Sequence, residues 1–282
     1  MKNPLIVSMA SYPPRINTVA KCLQNILAQT VKPDRVLLWL YEGEFPNRYD
    51  DLPKDLLDLE GDVLSICWAP INLKPHNKYF WTFKEHPEAA VITVDDDLAF
   101  APNMIEELLN LHYEFPAAVI ANRTHLILSR ADGALAPYGE WLPEQDAIIG
   151  RPSYALLGTN GAGTLFPAGA IPAEGLDADE IRRTCLTADD LWLKLIELKA
   201  GVPVVATGHS DLTYLPDTQD CGLWLTVNID GGNDKVLARL GDAFRPYTQE
   251  LLASMCDDCA SVFARYKSYR IDSRCLAAAR RA

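Results

Sequence analysis

Positive charge is scarce in this 282-residue sequence, which has 26 Lys and Arg residues against 38 Asp and Glu and a formal net charge of −12. Proteins that bind nucleic acid generally need a basic face to neutralise phosphates. The acidic balance therefore argues against nucleic acid as a partner. Residues 265–282 are the exception, with six Arg or Lys and one Asp. This basic end predicts either a solvated helix or contact with an anionic membrane surface.

Two further features are missing from the sequence. No apolar stretch approaches the roughly 20 residues of a membrane span, and the apolar part of residues 1–7 is too short for a signal peptide. The seven cysteines are odd in number and scattered, which favours reduced thiols and a cytoplasmic location. Cys256 and Cys259 form one CxxC, but no second CxxC or His pair follows. A zinc site is therefore not expected.

Hydrophobic residues make up 49% of the chain and charged residues 23%, as in ordinary globular proteins. Over the first 115 residues or so, apolar strand-like runs alternate with stretches of helical spacing. The strands are predicted at 5–9, 35–41, 63–68 and 89–94, and the helices at 19–29, 52–59, 77–85 and 103–113. This alternation predicts an α/β fold with a mixed, mainly parallel sheet flanked by helices.

The second half of the chain is less regular. It predicts strands at 119–127, 202–206 and 223–229, and helices at 187–199, 233–240 and 247–269. We divide the chain into a domain of residues 1–240, with halves 1–115 and 116–240, and a helical C-terminal extension of residues 241–282.

Three consecutive acids, Asp95, Asp96 and Asp97, follow the strand predicted at 89–94. Ligands of open α/β sheets bind beyond the carboxyl ends of the strands. On an extended backbone Asp95 and Asp97 point to the same side, where two carboxylates suit Mg²⁺ or Mn²⁺. The alternative is an acidic turn with a helix cap, although a cap needs only one acid.

The order of these features resembles a known family. A first strand that ends in residues 11–15 (SYPPR), a helix, further strands and residues 94–98 (VDDDL) resemble the GT-A fold glycosyltransferases, and among them the family 2-like bacterial polysaccharide enzymes. The resemblance covers roughly residues 3–230. It implies a metal-dependent enzyme that moves a sugar from a nucleotide-diphosphate-sugar to a hydroxyl of a glycan or lipid-linked acceptor.

The resemblance also implies roles for the acidic triplet. The first Asp of the motif faces the nucleotide ribose in that family, and the last binds the metal that bridges the diphosphate. These roles fall to Asp95 and Asp97, with Asp96 as a helper and Mn²⁺ or Mg²⁺ as the cofactor. His209, beyond the strand predicted at 202–206, would complete the metal shell. A lone His is more often structural.

Other donor contacts follow from the same resemblance. The end of the first strand would meet the nucleobase, through Ser11, Tyr12 and Arg15, and Lys78 would offset the charge of the diphosphate. The alternatives are an exposed loop cation for Arg15 and a surface lysine with a buried stem for Lys78.

Residues 158–164 (GTNGAGT) contain three glycines, which permit a close approach of the backbone to a ligand. The segment is not a P-loop, because no Gly-Lys-Ser/Thr follows. The resemblance implies a loop under the donor sugar, with Gly161 at the site. The alternative is a hairpin turn.

An acidic pair, Asp189 and Asp190, opens the helix predicted at 187–199. The family has an acidic pair here, often Glu-Asp, whose second member is the catalytic base, so the resemblance implies that Asp190 deprotonates the acceptor in an inverting transfer. Asp189 departs from the pattern by its shorter side chain. The competing interpretation is a capping box, with Thr187 as N-cap and Asp190 at the third helical position.

Two other functions stay open. A sugar nucleotidyltransferase uses a similar sheet, but usually with a Gly-rich basic loop after the first strand, where this chain has Tyr12-Pro13-Pro14-Arg15. A non-enzymatic, cation-dependent glycan-binding domain would show no hydrolysis of any nucleotide-sugar.

Overall fold

The computed structural model describes residues 3–128, 134–146, 148–208, 212–216, 218 and 231–247. Within these ranges the chain forms an eight-stranded sheet and two small sheets of two strands each. None of the helices in the described ranges is both long and apolar enough to cross a membrane. His209, the strand predicted at 223–229 and the basic residues 265–282 lie outside the described residues, as does the helix predicted at 247–269 beyond its first residue.

The first part of the chain alternates strands and helices as predicted. The strands are β1 (Leu5–Ser11), β2 (Arg35–Tyr41), β3 (Leu64–Ala69) and β4 (Ala90–Val94), and the helices are α1 (Val19–Leu27), α2 (Lys54–Leu57) and α3 (Asn77–Glu85). β1 pairs in parallel with β2 and β4, and β2 pairs in parallel with β3. The carboxyl ends of β1 and β4 therefore lie side by side.

The later elements are shorter and more numerous. The strands are β5 (Leu98–Phe100), β6 (Val119–Ala121), β7 (Thr124–Leu126), β8 (Pro152–Ser153), β9 (Leu156–Gly158), β10 (Ala162–Phe166), β11 (Val204–Ala206) and β12 (Leu212–Tyr214). The helices are α4 (Met104–Glu114), α5 (Ala178–Thr184), α6 (Asp189–Ala200) and α7 (Gly232–Phe244). α7 extends past residue 240, and the division of the chain into two regions stays a prediction.

Sheet order sets the direction of the remaining strands. The order of the large sheet is β3-β2-β1-β4-β10-β6-β11-β8. β10 runs antiparallel to both β4 and β6, whereas β6 and β11 are parallel to each other. β6 and β11 therefore share the direction of β4, and their carboxyl ends meet at the same edge of the sheet. The predicted mixed, mainly parallel sheet flanked by helices is confirmed.

The single strand predicted at 119–127 is wrong. It breaks after Ala121 into β6, in the large sheet, and β7, which pairs with β9. The cause is Asn122, whose side chain donates to the carbonyl of Ala162 and accepts from the Thr207 hydroxyl. These bonds end β6 at the carboxyl edge and turn the chain out of the sheet.

Alternating residues of the central strands fill two apolar cores, one on each face of the sheet. Val7 and Leu38 pack with helices α1 and α4 in one core, whereas Ile6 and Leu37 pack with α3 and α6 in the other. Each large apolar side chain that is fully buried contributes roughly 1.5–3 kcal/mol. Because both faces are covered, the sheet edges and the loops that leave them are the places open to ligands.

Candidate functional site

A cavity of about 520 Å³ opens at the carboxyl edge of the large sheet. The ends of β1, β4 and β6 and the starts of α3, α6 and β10 contribute to its wall. Ten of the predicted site residues lie in the described part of the chain, and all ten line this cavity: Ser11, Tyr12, Arg15, Lys78, Asp95, Asp96, Asp97, Gly161, Asp189 and Asp190. The fold therefore brings together residues that are up to 179 positions apart in sequence.

The acidic triplet forms a turn between β4 and β5. The prediction of an extended backbone through the triplet is wrong, because β4 ends at Val94 and a turn follows at Asp96 and Asp97. Each carboxylate instead pairs with a nearby cation, Asp95 with Lys78 and both Asp96 and Asp97 with Arg15. The acidic turn of the alternative is present, but it leads into β5 and not into a helix, so the helix cap of that alternative is wrong.

Arg15 joins the end of β1 to this turn. Its Nη1 lies 2.7 Å from Oδ1 of Asp96, and its Nη2 lies 3.0 Å from Oδ2 of Asp97. The hydroxyl of Ser11 donates to the other oxygen of Asp96 at 2.5 Å. Because only 11% of the Arg15 side chain is exposed, the exposed-loop interpretation is wrong. Burial raises the pKa of Asp96, although Arg15 and Ser11 oppose the shift.

Lys78 occupies the first turn of α3 and is buried, which rules out the surface-lysine interpretation. Its Nζ lies 2.6 Å from Oδ1 of Asp95 and 3.0 Å from Oδ2 of Asp189. Burial alone would lower the pKa of Lys78, but the carboxylates of Asp189 and Asp95 outweigh burial and raise the pKa above its usual value. Lys78 therefore stays charged and links the triplet to the acidic pair of α6.

The acidic pair is not a helix cap. The N-cap of α6 is Ala188, and no side chain accepts a capping hydrogen bond there, so the predicted capping box at Thr187 is wrong. Oδ1 of Asp190 instead accepts a hydrogen bond of 2.9 Å from the backbone amide of Asn160. Burial and the neighbouring charge of Asp189 raise the pKa of Asp190 to about 7. Asp190 can therefore accept or release a proton near neutral pH.

Gly161 supports the first acid of the triplet. Its carbonyl accepts a hydrogen bond of 2.9 Å from the amide of Asp95, and a Cβ at this position would overlap the Asp95 carboxylate. The segment does turn at Thr159–Ala162, where the Ala162 amide donates to the Thr159 carbonyl. The turn connects strands of two different sheets, so the predicted hairpin alternative is wrong.

Several residues of the cavity wall escaped prediction, among them Tyr41, Glu44, Asn72, Arg123, Tyr138 and Tyr214. Arg123 carried a usable signal, since it is a charged residue just after an apolar strand whose carboxyl end lies at this edge. Tyr138 and Tyr214 carried none, because irregular segments or a short strand outside the large sheet bring them to the wall.

The cavity fits a divalent cation in charge and in chemistry. Six carboxylates face four cations there, an excess of two formal negative charges, which one divalent ion would balance: Glu44, Asp95, Asp96, Asp97, Asp189 and Asp190 against Arg15, Lys74, Lys78 and Arg123. Carboxylate oxygens are the ligands that Mg²⁺ and Mn²⁺ prefer. Within the described ranges, no three His, Cys, Asp or Glu side chains are grouped as a metal site. A bound ion would need ligands besides Asp95 and Asp97.

The same fold occurs among solved structures. The chain aligns with PcManGT, a mannosyltransferase from Pyrobaculum calidifontis in complex with GDP-Man and Mn²⁺, at a TM-score of 0.51 and 13% identity, over 99% of this chain and 79% of that one. This likeness shows a shared fold. Two structures of S. aureus TarS align at 11% identity, each over 96% of this chain. One contains residues 1–349 in complex with UDP and aligns at a TM-score of 0.46 over 74% of its length, and the other aligns at a TM-score of 0.44 over 46% of its length. Neither likeness to TarS is close enough to carry an argument.

Comparison with protein-family models gives no match. Comparison of the sequence with curated proteins likewise gives none.

Proposed function

We propose that the protein is a metal-dependent GT-A glycosyltransferase, which moves a sugar from a nucleotide-diphosphate-sugar to a hydroxyl of a glycan or lipid-linked acceptor with inversion at the sugar carbon. The observation that carries the proposal is Asp190, a carboxylate with a pKa of about 7 in the wall of the same cavity as the acidic triplet. The fold shared with PcManGT, which was solved with GDP-Man and Mn²⁺, supports the class of donor.

The donor side of the site would hold the nucleotide diphosphate. Asp95 and Asp97 would bind Mn²⁺ or Mg²⁺, whose positive charge would stabilise the leaving diphosphate. Arg15 and Lys78 fix the carboxylates in place before any ligand arrives, since each cation pairs with two of them. Ser11 and Tyr12, at the end of β1, would lie beside the nucleobase.

Asp190 would supply the base. One of its oxygens, Oδ1, is held by the amide of Asn160, and Oδ2 has no hydrogen-bond partner among the described residues. We assign Oδ2 to the acceptor hydroxyl. As the hydroxyl oxygen bonds to the sugar carbon, its proton passes to Oδ2 and the bond to the diphosphate breaks. A base works best when its pKa lies near the working pH, a condition that a pKa of about 7 meets.

The first experiment is a screen of UDP- and GDP-sugars with MnCl₂ or with EDTA, in which release of nucleoside diphosphate to water is measured. We expect release with at least one donor and only in the presence of the metal ion. Release of pyrophosphate from a sugar phosphate and a nucleoside triphosphate would indicate the nucleotidyltransferase instead. No reaction with any donor would favour the glycan-binding domain.

Asp190→Asn is the sharpest variant for this screen. Asn keeps the shape of the side chain and can still accept from the Asn160 amide, but it cannot take a proton. We expect release to fall by about 10²–10⁴-fold, the usual contribution of general base catalysis, with unchanged nucleotide affinity. Asp177→Asn is the matched control, because Asp177 is also an acid at a helix start but does not line the cavity. Release at the parental rate by Asp190→Asn would contradict the assignment.

A further inference from the structure

Apart from the exposed Lys74, the cavity wall has three cations with largely buried side chains, and these differ in how closely carboxylates approach them. Arg15 and Lys78 each pair with two carboxylates at 2.6–3.0 Å. Arg123 has one carboxylate within 4 Å in the described part of the chain, Glu144, at 3.7 Å. The Glu144 side chain is 66% exposed, and pairs open to water contribute little. In the described part of the chain, Arg123 is therefore the one of these three that has no carboxylate within 3.0 Å.

Neutral groups nevertheless hold the Arg123 side chain in place. Its Nε donates to the Thr159 hydroxyl at 2.8 Å, and its Nη1 donates to the Tyr214 hydroxyl at 3.2 Å. Only 16% of the side chain is exposed. Removing a charge from water is costly unless an opposite charge compensates for it. A guanidinium that is fixed, largely buried and paired, among the described residues, with one exposed carboxylate at 3.7 Å is suited to an anion that arrives with a ligand.

The position of Arg123 favours the acceptor as that ligand. Thr159, which binds Arg123, directly precedes Asn160, whose amide binds Asp190. Tyr138 lines the same part of the wall, and burial together with the charge of Asp190 raises its pKa. Arg123 therefore lies beside the turn that holds Asp190, the base assigned to the reacting hydroxyl, and it also interacts with Asp95, whose pKa it lowers.

We propose that Arg123 anchors an anion site in the cavity wall that binds a carboxylate or phosphate group of the acceptor. The site rests on the proposed glycosyl transfer and specifies its acceptor as an acidic one. The planar guanidinium of Arg can donate two parallel hydrogen bonds to either anion. Nη2 has no hydrogen-bond partner among the described residues and is available for this contact.

Binding of small anions tests the site. Glycerol 3-phosphate and glucuronate would be titrated by calorimetry into the full-length protein that already holds MnCl₂ and UDP or GDP, with glycerol and glucose as neutral counterparts. We expect one of the anions to bind and its neutral counterpart not to bind. The anion that binds distinguishes a phosphate from a carboxylate acceptor.

Variants then place the anion at Arg123. Because hydrogen bonds to charged groups contribute about 1.5–3 kcal/mol, Arg123→Gln should weaken anion binding by about tenfold or more. It should leave nucleotide affinity within about threefold. Arg123→Lys keeps the charge, so its anion affinity should lie between those of the parent protein and Arg123→Gln. Arg183→Gln is the control, because this arginine pairs with Glu180 at the surface and its side chain is 71% exposed.

Two results from the parent protein and Arg123→Gln would overturn the proposal. In one, the parent protein binds nucleotide but neither anion, which leaves the proposed transferase intact and removes only the acceptor site. In the other, Arg123→Gln weakens nucleotide binding tenfold, which would assign Arg123 to the donor.

Should Arg123→Gln fail to fold, Tyr214→Phe provides the test, since it removes only the hydroxyl that holds Nη1. Anion binding unchanged in that variant and in Arg123→Lys would also reject the site. A parent that binds no nucleotide refutes the proposed function itself.

Discussion

The two sides of the cavity differ in how their charges are compensated. On the side built by β1, β4 and α3, the cations Arg15 and Lys78 neutralise the acidic triplet within the protein. On the side built by α6 and the end of β6, Asp190 has a raised pKa, and Arg123 pairs, among the described residues, with the exposed Glu144 at 3.7 Å. The first side is fixed before a ligand binds. The second keeps a proton acceptor and a positive charge available for the substrate.

Lys78→Met would have the largest effect on stability, because it removes a buried cation from the side of the cavity where the carboxylates are neutralised. It leaves Asp95 and Asp189 without their shared cation, and removing one partner of a buried pair costs about 3–5 kcal/mol. Since 39% of the Asp95 side chain is exposed, we expect the lower end, about 3 kcal/mol. Urea unfolding measures the loss. Lys54→Met is the control, because its pair with Asp58 is exposed and should contribute less than about 1 kcal/mol.

Asp97→Asn separates metal binding from folding on the same side. If Asp97 helps to hold the ion, the parent protein should bind UDP or GDP more tightly with MnCl₂ than with EDTA. In the variant, the ratio of the affinity in MnCl₂ to the affinity in EDTA should be about tenfold smaller. Its affinity in EDTA should stay near that of the parent. Calorimetry in the two buffers gives all four values. Equal affinity of the parent in both buffers would refute the metal assignment.

The pH dependence of the rate tests the side of the cavity that contains Asp190. Asp190 acts as a base only when ionised, so the rate should rise by about tenfold per pH unit below pH 7 and level off above it. Release of nucleoside diphosphate in the parent protein between pH 5 and 9 measures this profile. A rate independent of pH across this range would exclude Asp190 as the base.

Stability should change in the opposite direction. A raised carboxyl pKa means that the folded state binds more protons than the unfolded state between about pH 4 and 7, so the contribution of Asp190 to stability falls as pH rises through this window. Asp190→Asn removes this loss. As pH rises from 5 to 8, the stability of the variant relative to that of the parent should therefore increase. Melting temperatures at the two pH values measure the change.

Sequence reasoning succeeded where long strands supplied the evidence. The apolar runs that became β1 and β4 placed Ser11 and Asp95 at one edge, because parallel strands end at the same edge of a sheet. It failed where a contact between distant residues decides the backbone. The turn of the triplet depends on Arg15 and Lys78, and the break after Ala121 depends on Asn122 and Thr207. No local pattern announces these partners.

The acceptor side was the harder one for the same reason. Asp190 was found through resemblance, but its raised pKa depends on burial and on Asp189 within the folded cavity. Tyr138 reaches the wall from a segment with little regular structure and Tyr214 from the three-residue strand β12, so neither spacing nor periodicity identifies them. Local sequence supplies the identity of a charged group, whereas its protonation and its partners are properties of the assembled wall.

Asp177→Ala should have the smallest effect, and it sharpens the contrast between an acid used for structure and one kept for chemistry. Asp177 caps α5, since its carboxylate accepts from the amides of Asp179 and Glu180. Loss of an N-cap costs about 0.5–2 kcal/mol, so we expect a stability loss of about 1 kcal/mol in urea unfolding. Nucleoside diphosphate release should stay at the parental rate. Asp190→Asn should show the reverse, with little or no loss of stability and a large loss of rate. If Asp177→Ala slowed release as much as Asp190→Asn does, the effect at Asp190 could not be assigned to proton transfer.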